Sequence, residues 1–441
     1  TVGIDIGTTS VKAVAAGPDG QILERVRVPH PVLVPGADRL EHDADRAWRR
    51  GPRRALARLK GLNPEAVAIS TMVPSMTAVD ARGRPLSPGL LYGDARGRTG
   101  GVERRTDSDA GEVVGFLRWT AAEVPGATGY WPAPAVANYA LGRQPVIDIG
   151  TAFTSSPLFG GDGWDADLCA GIGVDVAQLP RVEMMGSPIG RVSGADIMLA
   201  GGSVDGLCEQ LVSGADEPGD VLVICGTTLI VWLVTDEPQK AEGLWTIPHG
   251  SRWAVGGPSN AGGLFIGWAE GLLSRKAGGA ERLDPADVPV WSPYIRGERS
   301  PLHDPDRRAA LHGLNLTHGP AAVRRAAWEA AGFVTRHMLD LAGLPARRLV
   351  ATGGGTRVDG WMQALADCTG LPVHVAEVAE GAALGAAYLA RMALGAETGF
   401  EGAGAWARTG RVVDPHPAWT SAASDRYRLF RTLASAPALV T

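Results

Sequence analysis

Two short turns of one composition hold the first chemistry in this chain. Gly7-Thr8-Thr9 follows an apolar run, and Gly226-Thr227-Thr228 follows another about 219 residues later. A Gly-Thr-Thr turn between two strands gathers backbone N–H groups and hydroxyls at one spot, a nest suited to phosphate oxygens. Glycine lets the backbone approach a ligand closely. One such turn is usually only a hairpin. Two, each opening a half of the chain, suit the β- and γ-phosphates of ATP held from both sides of a cleft. Asp5 interrupts the first apolar run just before its turn. It reads as a carboxylate for Mg²⁺, directly or through water, since magnesium takes one or two carboxylates beside phosphate oxygens. The plainer alternative is an Asp that bonds the turn backbone. Lys12 is placed to be a point charge for phosphate, or is a solvated lysine.

Two further stretches could complete such a site. Gly353-Gly354-Gly355 lies between a predicted strand and a helix carrying Trp361 and Gln363. Bare backbone at a helix N-terminus accepts a flat ring or a phosphate, so this is the expected nucleoside site. Gly201-Gly202-Ser203-Val204-Asp205-Gly206 runs from an apolar strand into an acid. Phosphoryl transfer to an alcohol needs positioning, charge neutralisation and a carboxylate to accept the hydroxyl proton. Asp205 is the candidate base; the alternative is an Asp that caps the helix starting at Gly206.

Elements must position these groups. The 441 residues favour two domains over one core. Val2–Ile6, 11–16 and 21–27 read as an antiparallel meander, 44–59 as a helix, and 66–71 and 76–80 as strands. The segment 98–145 is rich in Gly, Pro and Trp and holds no lasting helical pattern. A boundary near 190–196 divides the chain into 1–193 and 194–441. The second half repeats the strand–Gly-Thr-Thr–strand theme at 221–234, which points to duplication. Helices are expected at 262–274, 320–342, 360–368 and 381–393, and strands at 348–352 and 373–375. The class is α/β with mixed sheets.

Composition narrows the partners. A net charge of −5 gives no reason to expect nucleic acid or an anionic membrane. The four cysteines stand singly, without zinc spacing, and read as buried small hydrophobes of a reducing compartment. No apolar run reaches the roughly 18 residues of a membrane span. The chain opens directly on a strand, so a cytoplasmic protein is the expectation.

Together these pieces resemble the FGGY carbohydrate kinases and, through the hairpins, the wider actin-like ATPases. Asp5-Ile6-Gly7-Thr8-Thr9-Ser10 fits the family's DxGT start. Pro293-Tyr294-Ile295-Arg296-Gly297-Glu298-Arg299-Ser300-Pro301, followed by Asp304-Pro305, is similar to a family stretch after the second turn. Gly353–Gly355 with Trp361, Gln363, Ala366-Asp367 and Gly370, then Gly385-Ala386-Ala387, is similar to the adenosine motif and closing helix. The resemblance spans nearly the whole chain and is weakest over about 100–190. It implies two duplicated ribonuclease H-like, actin-like ATPase domains that close on ATP and a sugar or polyol. It makes Asp205 the catalytic base, with Mg²⁺ at Asp5 or Asp205. Thr8, Thr9, Thr227 and Thr228 become phosphate-loop residues, and Gly263 and Gly354 nucleotide contacts. Members of the family are often dimers, which leaves a homodimer open.

The sequence departs from the family where sugar is read. The Gln-Met-His of xylulokinases and the Gln-Arg-Glu of glycerol kinases fall on Met72, Val73 and Pro74, and Val73 and Pro74 offer hydroxyls no side-chain hydrogen bond. Leu91-Tyr92-Gly93-Asp94 is similar to the xylulokinase Trp-Asn-Asp segment, so Asp94 is the remaining expected sugar contact; the alternative pairs it with Arg96 or Arg98. A ketopentose such as xylulose is the leading substrate. Other sugars or polyols, a sugar- or nucleotide-binding regulator with little catalysis, and an actin-like ATPase that couples hydrolysis to movement stay open.

Overall fold

The computed structural model describes residues 1–36, 38–97, 112–249, 252–273 and 283–435. The chain packs into two compact units. The first holds Thr1–Val212 and Glu380–Trp406; the second holds Ser213–Ala379 and the chain from Ala407 onward.

The first unit is built on strands β1 (Val2–Ile6), β2 (Ser10–Ala16), β3 (Ile22–Pro29), β4 (Ala66–Thr71), β5 (Pro188–Arg191) and β6 (Met198–Val204), in the order β5-β6-β4-β1-β2-β3. β1, β4 and β6 run parallel, and β2, β3 and β5 are antiparallel to their neighbours. All of β1 and β4 is buried, because helices cover both faces, which is why these strands read as continuous apolar runs. On one face Ile4, Val67, Ile69 and Leu199 share a core with Ala55 and Leu56 of helix Gly51–Leu59 and Val136 of helix Ala133–Gly142. On the other, Ala66, Ala68 and Ala200 meet Ala382, Ala386 and Leu389 of helix Gly381–Ala393. Gly3 admits that helix: a Cβ there would sit 1.8 Å from the Ala383 carbonyl oxygen.

The second unit repeats the plan. Its strands are β7 (Asp220–Cys225), β8 (Leu229–Thr235), β9 (Trp245–His249), β10 (Arg252–Ser259), β11 (Arg348–Thr352), β12 (Val373–Ala376) and β13 (Thr409–Val413), in the order β9-β10-β8-β7-β11-β12-β13. β7, β11 and β12 are parallel, with β8, β10 and β13 antiparallel to their neighbours. Strand for strand, β3-β2-β1-β4-β6-β5 corresponds in order and direction to β10-β8-β7-β11-β12-β13. The duplication expected from two turns therefore extends over six strands in each unit.

Two expectations change. Packing divides the chain after Val212, not after 193, because β6 lies parallel to β4 in the first sheet. Asp205, grouped with the second domain by sequence, thus belongs to the first unit. Within 98–145, where no lasting helix was expected, helices Glu112–Glu123 and Ala133–Gly142 form. Val114, Phe116 and Leu117 of the former bury against Met76, Leu90 and Tyr130, so tertiary packing supplies what the weak local pattern lacks. Residues 98–111, Arg98 among them, lie outside the described residues. Among the described residues no helix is long and apolar enough to cross a membrane.

Candidate active site

Three parallel strands of the first unit end side by side. Asp5, Ser70 and Ser203 share one row across β1, β4 and β6, and Ile6, Thr71 and Val204 share the next. The chain then leaves β1 as Gly7-Thr8-Thr9, β4 as Met72-Val73-Pro74 and β6 as Asp205. Neighbouring strands lie about 4.8 Å apart, and ligands of α/β sheets bind outside such carboxyl ends. Residues 200 positions apart in sequence are thereby brought to one sheet edge.

The first turn is shaped from below. Gly7 N–H donates to the Ser10 carbonyl at 3.1 Å, and His30 N–H donates to the Thr9 carbonyl at 3.0 Å. The Thr8 carbonyl lies 2.7 Å from His42 Nε2. Trp48 Nε1, a donor only, gives its hydrogen to His42 Nδ1 at 2.9 Å. Nδ1 is therefore the acceptor, and Nε2 carries the ring proton that Thr8 receives. The Thr8 hydroxyl meets the Tyr92 hydroxyl at 2.9 Å. The backbone N–H groups of Thr8 and Thr9 have no acceptor among the described residues. Carbonyls tied to protein and amides left as donors are what an anion nest requires. Ser10 is buried and opens β2. Sequence reading passed over His42 and Trp48, which carry no motif.

Asp5 is 5% exposed. Burial pushes its carboxyl pKa up, against the opposing charge of Lys12, whose Nζ lies 3.8 Å from Oδ2. Oδ1 is buried and accepts no hydrogen bond. An orphaned carboxylate oxygen at a phosphate nest fits a Mg²⁺ ion or one of its waters. Among the described residues no three His, Cys, Asp or Glu side chains cluster as metal ligands, so such an ion would lean on phosphate and water.

Asp205 opens helix Asp205–Leu211, and its Oδ1 accepts from Gly206 N–H at 2.8 Å. Ser203, two residues earlier, donates to the buried carboxylate of Asp148 at 2.8 Å. Burial holds the Asp148 pKa up, against hydrogen bonds from Thr151 and Ser203. Burial likewise raises the Cys208 thiol well above its usual value, and Asp148, Asp5 and Asp205 push it the same way. The three carboxylates thus lie within electrostatic reach of one point.

The expected sugar-reading residues divide. Met72 is buried and donates its backbone N–H to the Ile6 carbonyl at 3.4 Å. Val73 and Pro74 line a narrow slot with Tyr130, Thr151 and Trp164, of about 10 Å³, room for at most one water. Asp94 is fully buried. Its Oδ1 accepts from Arg96 N and Nε, and its Oδ2 from Arg96 Nη2 and Leu40 N, at 2.6–2.9 Å. Burial pushes its pKa up, but these donors outweigh that and leave it below the usual range. Four bonds fill the four acceptor positions of a carboxylate, so Asp94 ties Arg96 and Leu40 together and has none left for a sugar hydroxyl.

The second unit gathers the other motifs in the same way. β7 and β11 pair through Ile224 and Thr352, and Gly226-Thr227-Thr228 and Gly353-Gly354-Gly355 leave them side by side. Gly263 N–H donates to the Gly226 carbonyl at 2.8 Å, and Leu264 N–H to the Thr227 carbonyl at 3.0 Å. A Cβ on Gly263 would sit 2.7 Å from that Gly226 oxygen. Gly353 has φ +89°, whereas Gly354 is exposed and a Cβ there would meet nothing within 4 Å. Thr227 and Thr228 N–H groups again lack an acceptor among the described residues. Glu298 supports the approach to Gly263, taking Ser259 Oγ at 2.7 Å and Asn260 N at 2.8 Å.

Comparison with known proteins agrees with this arrangement. The model described as "FGGY family of carbohydrate kinases, N-terminal domain" matches residues 1–106, and its C-terminal counterpart matches 221–394. A gluconokinase of Bacillus subtilis is 25% identical, over 91% of this chain and 88% of its own. A glycerol kinase of Methylobacterium nodulans is 30% identical over 89% of both. The crystal structure of a xylulose kinase from Rhodospirillum rubrum superposes with a TM-score of 0.77 at 26% identity, over 98% of this chain and 97% of that one.

Proposed function

Since the chain belongs to the FGGY family of carbohydrate kinases, phosphotransferases by class, we propose that it moves the γ-phosphoryl group of ATP onto a hydroxyl of a sugar or polyol. The observation that supports this most is the first unit's row of strand ends, which sets Asp5, the Gly7–Ser10 turn, Met72–Pro74 and Asp205 at one edge. In this reading Asp205 takes the hydroxyl proton as the substrate oxygen attacks the γ-phosphorus. The bond to the β–γ bridging oxygen breaks, and ADP departs. The Thr8 and Thr9 amides and Lys12 hold phosphate oxygens while charge shifts between them. Thr227, Thr228, Gly263 and Gly353–Gly355 hold the nucleotide. When bound at Asp5, Mg²⁺ supplies charge neutralisation on the phosphates.

The substrate is the finer step. A ketopentose such as xylulose leads the panel. Gluconate and glycerol stand beside it because relatives carry those names. ADP release with Mg-ATP against ketoses, aldoses, aldonates and polyols tests the reading. One compound raising turnover well above background supports it; none doing so, while ATP binds, contradicts it. A second reading, a kinase-fold binder with little turnover, draws on one observation: Asp94 is consumed by Arg96 and Leu40.

A further inference from the structure

A second concave feature of the first unit stands on residues that the kinase reading does not use. Helix Gly51–Leu59 and the turns flanking it put Arg50, Arg53, Arg54 and Lys60 along a groove of about 410 Å³. The spacings 50/54, 53/57 and 57/60 place these positions on one face. Helix Ala133–Gly142 and the turn at Val192-Ser193 form the opposite wall. No carboxylate lines the groove. Arg50 pairs with Asp45 at 2.7 Å, but Arg53, Arg54 and Lys60 have no ion-pair partner among the described residues. Leu56, Leu141 and Val192, all buried, form an apolar floor.

A convex solvated helix face gives cations no wall opposite them. Here the wall is present, the volume is that of a small-molecule site, and the chain as a whole carries net negative charge. Guanidinium groups match phosphate oxygens in forked pairs. Along a helix, positions 50 to 60 span about 15 Å, more than one phosphate can bridge. We propose that this groove binds a small molecule carrying two or more phosphate groups, with its body on the Leu56–Val192 floor. The proposal is independent of the sugar-kinase reading, because no residue of the groove belongs to that site.

Calorimetry on the full chain saturated with ADP, in Mg²⁺-free buffer, tests it with tripolyphosphate and orthophosphate as probes. The wild type is expected to bind one tripolyphosphate at least tenfold more tightly than orthophosphate. Arg53→Gln with Arg54→Gln, both on exposed helix positions, should weaken tripolyphosphate at least tenfold and leave basal turnover and the KM for ATP unchanged, which also reports that the variant is folded. Equal binding by wild type and double variant would place the probe at the phosphate turns and overturn the proposal. Absence of tripolyphosphate binding to the wild type would show a merely solvated face and overturn it equally.

Discussion

His42 Nε2 hydrogen-bonds the carbonyl oxygen of Thr8 at 2.7 Å, so the shape of the first turn depends on the ring proton at Nε2. Trp48 fixes the tautomer from the other side. Burial first, then the neighbouring His30, pulls the His42 pKa down to about 4.

Protonated His42 would lose its acceptor for Trp48. Because its folded pKa is depressed, the unfolded chain takes up a proton first as pH falls below about 6.5. Stability from this group is full above that pH and declines toward pH 4. His42→Ala leaves the Thr8 carbonyl and the Trp48 N–H unpaired, at a cost of about 3 kcal/mol, and should raise the KM for ATP. His42→Gln, which can donate and accept, should restore part of both. Chemical denaturation at pH 5 and pH 7.5 and ATP kinetics at neutral pH check this.

Glu298 has the opposite sign. Burial pushes its pKa up to about 7, against hydrogen bonds from Asn260, Ser259 and Arg299. An acid with a raised folded pKa holds its proton in the native state, so this group's contribution is full below about pH 4.5 and lost as pH rises to about 7, by at most about 3 kcal/mol. Glu298→Gln can keep the bonds to Asn260 and Ser259 without the charge. Its stability should fall less than the wild type's between pH 5 and pH 8, measured by the same denaturation series.

Gly354 and Gly263 separate ligand contact from packing. A Cβ at Gly354 meets nothing within 4 Å, whereas one at Gly263 sits 2.7 Å from the Gly226 oxygen. Gly354→Ala should change stability by under about 0.5 kcal/mol yet raise the nucleotide Kd about tenfold, or about 1.4 kcal/mol. Gly263→Ala should cost about 1–3 kcal/mol of stability as well as binding. Thermal melts with and without ADP distinguish the two.

Asp5 is a buried charge with an orphaned oxygen, a costly arrangement unless it serves a ligand. Asp5→Asn should leave the apo protein as stable as the wild type or more so, and lower turnover with Mg-ATP by about a hundredfold. A melt and a steady-state assay on one preparation give both numbers.

Much of this site was legible because its chemistry is local. The Gly-Thr-Thr turns, the triple glycine and the acid at Asp205 each announce themselves within a few residues. What was not legible rests on long-range pairing. Asp205 joins the first unit only because Val204 pairs with Thr71. His42 acts on Thr8, 34 residues away, and no motif marks it. For Asp94 the alternative reading, pairing with Arg96, is the one that the structure shows, and what the sequence could not show is that Leu40 N–H, 54 residues away, takes the remaining acceptor position. The helix Glu112–Glu123 was hidden in a segment rich in Gly, Pro and Trp, and it is held by burial of Val114, Phe116 and Leu117 against Met76 and Tyr130.

Asp205→Asn tests the central claim most directly, since Asn keeps the hydrogen bond from Gly206 and removes the carboxylate that would take the proton. With the substrate found in the panel, phosphoryl transfer and ATP binding are measured on the same protein. The account predicts a fall in kcat of at least about a hundredfold with the ATP Kd within about threefold of wild type. A variant that turns over within tenfold of the wild type would contradict it and place the base elsewhere.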